Sequence, residues 1–301
     1  MPTKAIQNYL ALVIGAGLLL SAGCSTTDPL PVRQGPVSCQ HLVRSDPNFS
    51  IFVVKINLAD PRVSVRVSPG GTVPDHNGPW VTTLLPTSEI AARDGYDIAI
   101  NGDFFEAKAT KDLEGKNTGY VKGKPAAPVG MAMTDGRLWH QAKEQPQAEP
   151  FLEITTTNTA IIVAGRTNQP IDYYARQMVG GSQIIVSNGM PVEYHSAFAT
   201  NRHPRTVVGV GQGGTELTLL VVDGRQPSLS IGMTLAELSK EMIRLGCDNA
   251  INLDGGGSTT LVYREAGDKR LKILNSPSDT KERSVADVLE VKFDGPLPEP
   301  K

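Results

Sequence analysis

The sequence predicts an α+β fold: one domain with a twisted, mostly antiparallel sheet core and a few packed helices. Three observations carry that prediction. Short β-branched runs recur, as in Ser50-Ile51-Phe52-Val53-Val54-Lys55-Ile56 and Val63-Ser64-Val65-Arg66-Val67. Asp135-Gly136, Asn188-Gly189 and Gly213-Gly214 each sit between apolar runs, the signature of tight hairpins, and hairpins pair antiparallel. Helical signals are few, which limits the helices to a covering layer.

The chain opens on an export signal. Lys4 precedes an uncharged apolar run over residues 10–20, too short for a confident membrane span. Ser21-Ala22-Gly23 then leads into Cys24, which resembles a bacterial lipobox with Ser21 in place of leucine. Cleavage there would leave Cys24 as a diacylglyceryl-modified terminus. The prediction is a signal peptide over residues 1–23 and a membrane attachment through the lipid. A plain signal peptide with an incidental cysteine is the alternative. Ser25 rather than Asp follows the cysteine, so the lipoprotein resemblance implies the periplasmic face of the outer membrane in a Gram-negative host.

Residues 24–45 are polar and carry Asp28-Pro29-Leu30-Pro31, and read as a flexible tether. Residues 46–293 form the domain, and 294–301, with three prolines, read as a disordered tail. Within the domain a short helix is expected over residues 87–93, ended by Gly95. A second is announced by Thr234 and Glu237, spaced for a capping box. Leu235, Leu238, Met242 and Leu245 follow at near-helical intervals, and Gly246 is placed for the C-terminal cap.

Composition narrows the function classes. Charged residues are 20% and hydrophobic ones 40%, the balance of an ordinary globule. A net charge of -2 offers no electrostatic footprint for nucleic acid. With Cys24 lipidated, Cys39 and Cys247 remain as an even pair in an oxidising compartment, and a disulfide between them is expected. Two separate buried thiols are the alternative.

Four segments share one design, an apolar strand that ends in reactive polar groups. They are Ile100-Asn101-Gly102-Asp103-Phe104-Phe105, His203-Pro204-Arg205-Thr206, Val222-Asp223-Gly224-Arg225, and Asn252-Leu253-Asp254-Gly255-Gly256-Gly257-Ser258. Strand ends on a rigid scaffold are where sites are commonly built. Each segment singly also reads as a turn or a surface charge. The glycine run lacks the Gly-Lys-Ser/Thr ending of a P-loop and leads into a strand. Ser258 with His203 lacks the Gly-x-Ser-x-Gly elbow of serine hydrolases. His195, His203, Asp103 and Asp254 repeat no zinc spacing, while calcium on the aspartates stays possible.

In order, Asn101-Gly102-Asp103-Phe104-Phe105, Pro204-Arg205-Thr206-Val207-Val208-Gly209, Asp223-Gly224-Arg225 and Asn252-Leu253-Asp254-Gly255-Gly256-Gly257-Ser258-Thr259-Thr260 resemble the phosphodiester glycosidase family. So does a closing segment, Asn275-Ser276-Pro277-Ser278-Asp279 followed by Glu282-Arg283-Ser284-Val285. A mammalian member removes N-acetylglucosamine from a sugar phosphodiester. Two departures are Asp103, where that member has glycine, and Ser284, where many relatives have proline. The resemblance implies a hydrolase acting on glycosyl phosphodiesters or a related envelope or exopolysaccharide glycan. A non-catalytic glycan-binding lipoprotein of the same fold is the alternative.

That chemistry fits the residues. Phosphate is already a good leaving group, so cations and one activating carboxylate suffice. Arg205 and Arg225 are suited to the phosphate. Asp254 is expected as the principal acid/base group and Asp223 as its support. Asn101 and Asp103 are assigned to sugar hydroxyls. Phe104 or Phe105 is assigned to the sugar face, with the other in the core. Gly255, Gly256 and Gly257 are expected to donate N–H groups to an anion beside Ser258.

Overall fold

The computed structural model describes residues 35–74, 78–111, 114–116, 118–141, 149–165, 172–265 and 270–301. The export signal, Cys24 and the first part of the tether lie outside these residues. Every strand ladder among the described residues is antiparallel. A seven-stranded sheet is centred on Phe49–Asn57, Glu216–Val222, Arg205–Gly211 and Asn249–Asn252. A five-stranded sheet contains Ile98–Asn101 between Leu261–Arg264 and Asp287–Phe293.

Alternation along the central strands explains how the layers form. Phe52, Val54 and Ile56 point one way and meet Ile98, Ile100, Leu289 and Val291 of the five-stranded sheet, making the main core. Ile51 and Val53 point the other way, toward Leu235, Leu238 and Met242. Strands buried on both faces read as continuous apolar runs, which is how Phe49–Asn57 appears in the sequence.

Three α-helices are present among the described residues: α1 (Thr87–Asp94), α2 (Ala197–Thr200) and α3 (Leu235–Arg244). Helix α3 starts at the expected capping box, in which Thr234 accepts from the Glu237 N–H and Glu237 accepts from the Thr234 N–H. Helix α1 ends at Gly95 in the left-handed conformation (φ 74°). Its Ile90 and Ala91 cover the outer face of the five-stranded sheet against Val288 and Ala99. The Asp135-Gly136 and Asn188-Gly189 turns have both residues at positive φ, as type I′ hairpins require.

Three expectations need correction. The tether is shorter than read, because Val37–Arg44 is an edge strand paired with Phe49–Asn57 from Val37↔Ile56 to Arg44↔Phe49. Its alternation, with Val37 and Cys39 inward, was masked by the polar residues between. The C-terminal segment is packed rather than disordered: Leu297 is buried, Pro298 accepts from the Tyr263 hydroxyl, and Lys301 pairs through its backbone with His41 and Cys39.

The third correction is the disulfide. Cys39 and Cys247 are separate, buried free thiols. Cys39 faces the core between the two sheets, whereas Cys247 lies on the opposite face of the seven-stranded sheet, behind α3. A disulfide needs adjacent, converging Cβ atoms, and the sheet stands between these two. Burial pushes the Cys39 thiol up to about 12 and the Cys247 thiol up to about 11, so neither is a nucleophile at neutral pH. Alkylation of the native protein is therefore expected to spare both. Unfolding without reductant should expose both to the reagent, and recovery of a Cys39–Cys247 peptide by mass spectrometry would contradict the structure.

Candidate active site

The glycine loop after Asn249–Asn252 brings a carboxylate and two guanidinium groups together. Asp254 is held through its backbone: its N–H donates to Gly102 O (3.1 Å) and its carbonyl accepts from Asn101 Nδ2 (2.7 Å). The side chain is half-buried, with Oδ1 accepting from Gly255 N–H (2.8 Å) and a further hydrogen bond from Ser258. Burial raises its carboxyl to about 6, and the Ser258 and Gly255 bonds with the charges of Arg283 and Arg225 hold it from going higher.

The glycines make room for the cations. Gly256 has φ +61°, and a Cβ there would lie 3.1 Å from both terminal nitrogens of Arg225. A Cβ on Gly257 would overlap the Arg283 guanidinium and the Asp279 carboxylate. Gly256 and Gly257 are thus needed less as amide donors than as flat ground for two arginines, while a Cβ on Gly255 would meet Pro204 O at 2.7 Å. The Gly255 and Gly256 N–H groups are spent on Asp254 Oδ1 and Pro204 O, not free for an anion as the sequence suggested.

Arg283 is braced by Asp279 Oδ2 (2.9 and 2.7 Å), approaches Ser258 Oγ (3.5 Å), and lies over the Tyr120 ring at 4.9 Å. Its segment is pinned by Glu282, which accepts from the Ser88 N–H and hydroxyl at the start of α1. Arg225 is exposed, holds an unusual φ of +60°, and reaches His203 Nδ1 at 3.5 Å. Burial, then Arg205 and Arg225, lower the His203 pKa, which disfavours the protonated ring. Phe104, Phe198 and His203 form an aromatic wall, with centroids 6.0 Å and 6.4 Å apart in turn. Phe105 instead packs into the small clusters around Leu84 and Ile90.

Several residues assigned to the substrate from sequence are scaffold instead. Arg205 is fully buried and donates to the carbonyls of Met233 (3.1 Å), Phe198 (2.6 Å) and Asn201 (3.1 Å), holding α2 and the aromatic wall in place. Burial, then Arg225, lowers it to about 10. Asp223 is buried and accepts from Ser50 Oγ (2.8 Å), Ser276 N–H (2.7 Å) and Asn275 Nδ2 (3.2 Å), which ties the closing segment to the sheet. Asn101 spends its Oδ1 on the Thr206 hydroxyl and Thr260 N–H. It therefore positions Asp254 rather than a sugar hydroxyl. Ser258 is buried beneath the loop.

Asp103 is also buried, opposite Asp287. Its N–H donates to Asp287 Oδ1 (2.8 Å) and its Oδ2 accepts from Gly130 N–H (2.6 Å), while Asp287 Oδ2 has no partner. Burial first, and then their mutual repulsion for Asp103, pushes both carboxyls up, Asp287 to about 7. The pair therefore holds a proton at neutral pH. No group of three or more His, Cys, Asp or Glu among the described residues is arranged to hold a metal ion. Sequence reasoning missed Arg283, Phe198 and Asp287. Arg283 stood in the closing segment, and Asp287 is again an acid at a strand end, so the same signal was there to be applied.

Fold and site together define a glycosidase-like protein. The chain belongs to the phosphodiester glycosidase family, whose model matches residues 94–292. Among solved structures, the zebrafish N-acetylglucosamine-1-phosphodiester alpha-N-acetylglucosaminidase catalytic domain, auto-inhibited by its pro-peptide, shares the fold. Its TM-score is 0.58 at 21% identity, over 85% of this chain and 82% of that one. A putative exported protein from Burkholderia pseudomallei K96243 superposes with a TM-score of 0.51 at 18% identity, over 83% of this chain and 74% of that one. The SPbeta prophage-derived uncharacterized protein YomE of Bacillus subtilis is 36% identical over 92 residues, 31% of this chain. That match spans only 13% of the relative's length.

Proposed function

We propose that this protein is an envelope-anchored hydrolase that cleaves glycosyl phosphodiesters or a closely related envelope or exopolysaccharide glycan. The observation that carries the proposal is Asp254: a half-buried carboxyl raised to about 6 and flanked by Arg225 and Arg283 over the glycine loop. A group titrating near the working pH suits proton transfer, and two guanidiniums suit a phosphate. The substrate phosphate bridges Arg225 and Arg283, and the sugar lies against Phe104 and Phe198. Ionised Asp254 takes a proton from water, the water oxygen bonds to C1, and the C1–O electron pair leaves on the phosphate oxygen. That leaving group needs little protonation, so one activating carboxyl suffices.

The test is turnover. The purified protein, incubated with a panel of sugar phosphodiesters and envelope glycans, should release free sugar and a phosphate monoester from at least one diester. Arg225→Gln and Arg283→Gln should each lower kcat/KM by about tenfold or more. Saturable binding without product on every substrate would favour a glycan-binding lipoprotein instead.

Anchoring rests on the apolar run and on Ser21-Ala22-Gly23-Cys24. In a bacterial host, a fatty-acid analogue should label the wild type and not Cys24→Ser. Unlabelled wild-type protein in a soluble extracytoplasmic fraction would remove the anchor and leave export standing.

A further inference from the structure

A cavity of about 440 Å³ lies away from the glycine loop, between Val63–Pro69 and the hairpin of Ala132–Thr134 with Arg137–His140. It shares no lining residue with the surroundings of Asp254 described above. Its volume is in the range of small-molecule sites. Pro69, Val81 and Trp139 give it a carbon-rich wall. The Trp139 indole N–H is already donated to Thr134 Oγ1 (3.0 Å), so the ring itself is what remains for a ligand.

The polar part of the lining includes two guanidinium groups. Arg66 and Arg137 both border the cavity, against one carboxylate, Asp135. That carboxylate is engaged, with Oδ1 accepting from Gln177 Nε2 (2.8 Å) and Oδ2 facing Arg66 Nη2 (3.5 Å). The Arg66 guanidinium also hydrogen-bonds Tyr96 and lies near Asp94 and Glu290, and its Nε is buried with no hydrogen-bond partner. Arg137 is exposed and makes no ion pair among the described residues.

We infer that this cavity is an accessory subsite for an acidic sugar unit, its ring against Trp139 and its anionic group between Arg66 and Arg137. Aromatic faces take the apolar face of a sugar ring, and guanidinium forks take carboxylate or phosphate. An uncharged sugar would leave the Arg137 guanidinium unanswered. The inference rests on the proposed glycan substrate, with this subsite holding a unit of the same chain away from the cleaved bond.

The chain has two tryptophans, Trp80 and Trp139, so Trp80→Phe leaves Trp139 as the single indole reporter. Its fluorescence should respond saturably to oligogalacturonate or to mannose 6-phosphate, and not to uncharged oligomannose. The stronger of the two acidic ligands identifies carboxylate or phosphate as the recognised group. Arg137→Gln, at an exposed position, should weaken that binding by about tenfold while small-diester hydrolysis is unchanged. Equal binding of the uncharged sugar, binding indifferent to Arg137→Gln, or no fluorescence response would each overturn the subsite. Loss of hydrolysis on every diester, with acidic-sugar binding intact, would instead overturn the proposed activity.

Discussion

Asp254→Asn is expected to cut turnover by roughly 10²–10⁴-fold while the protein stays folded, because it removes the carboxylate assigned to accept the proton. Folding should survive because asparagine keeps an oxygen for the Gly255 N–H, and the main-chain bonds to Gly102 and Asn101 do not involve the side chain. The pH profile gives a sharper check. Burial holds the wild-type carboxyl near 6 instead of its ordinary 3.8. As a base it works only when ionised, so kcat/KM should rise as pH climbs through about 6 and then level off. The variant should lose that acidic limb. Near-normal turnover with an unchanged far-UV spectrum would refute the assignment.

Asp287→Asn is expected to change stability in a pH-dependent way, and the sign follows from the carboxyl being raised. The folded protein holds it near 7, whereas the unfolded chain returns it to about 3.8. Between those values the unfolded state has lost a proton that the folded state keeps. Stability is therefore full below about pH 4 and is lost progressively as pH rises through 7. Asparagine cannot ionise. It keeps an acceptor for the Asp103 N–H and places an NH₂ where Oδ2 has no partner. At pH 8 the variant should be more stable than the wild type by a few kcal/mol, on the order of the linkage for a shift of about three units. At pH 4 the two should nearly coincide. A wild type–variant difference in Tm that is flat from pH 4 to pH 8 would show that Asp287 is ionised in the fold. Glu290, buried on the same strand and also raised to about 7, adds a similar slope to both proteins and cancels in the difference.

The buried carboxyls explain why so much of the chain converges here. Asp103, Asp287 and Asp254 repel one another, and each is positioned by backbone donors from a different strand end. Such an arrangement costs stability and persists where function requires it. The scaffold that holds it runs through residues that never reach the cleft. Asn101 joins two sheets through Thr206, Thr260 and Asp254, and Asp223 joins the central strands to the closing segment.

What the sequence by itself determined is what neighbours along the chain decide. Hairpin turns at Asp135-Gly136 and Asn188-Gly189, the Thr234–Glu237 cap and the Gly95 stop depend on local φ preferences and spacings, and all were legible. The family motifs were legible for the same reason, since each is a short run at one strand end, and the structure brings Arg225 against the glycine loop that follows Asp254. Tertiary structure alone decided which polar side chains face the cleft. Arg205 and Arg283 are both arginines beside a family motif, yet one is consumed by three carbonyls brought in by α2 and Met233 while the other lies over Gly257. Cys39 and Cys247 form an even pair by count, but a sheet built from distant strands puts them on opposite faces. A side chain's direction depends on pairings up to some two hundred residues apart, such as Asp103 with Asp287, and the free energy of burying it is set by whichever partners arrive.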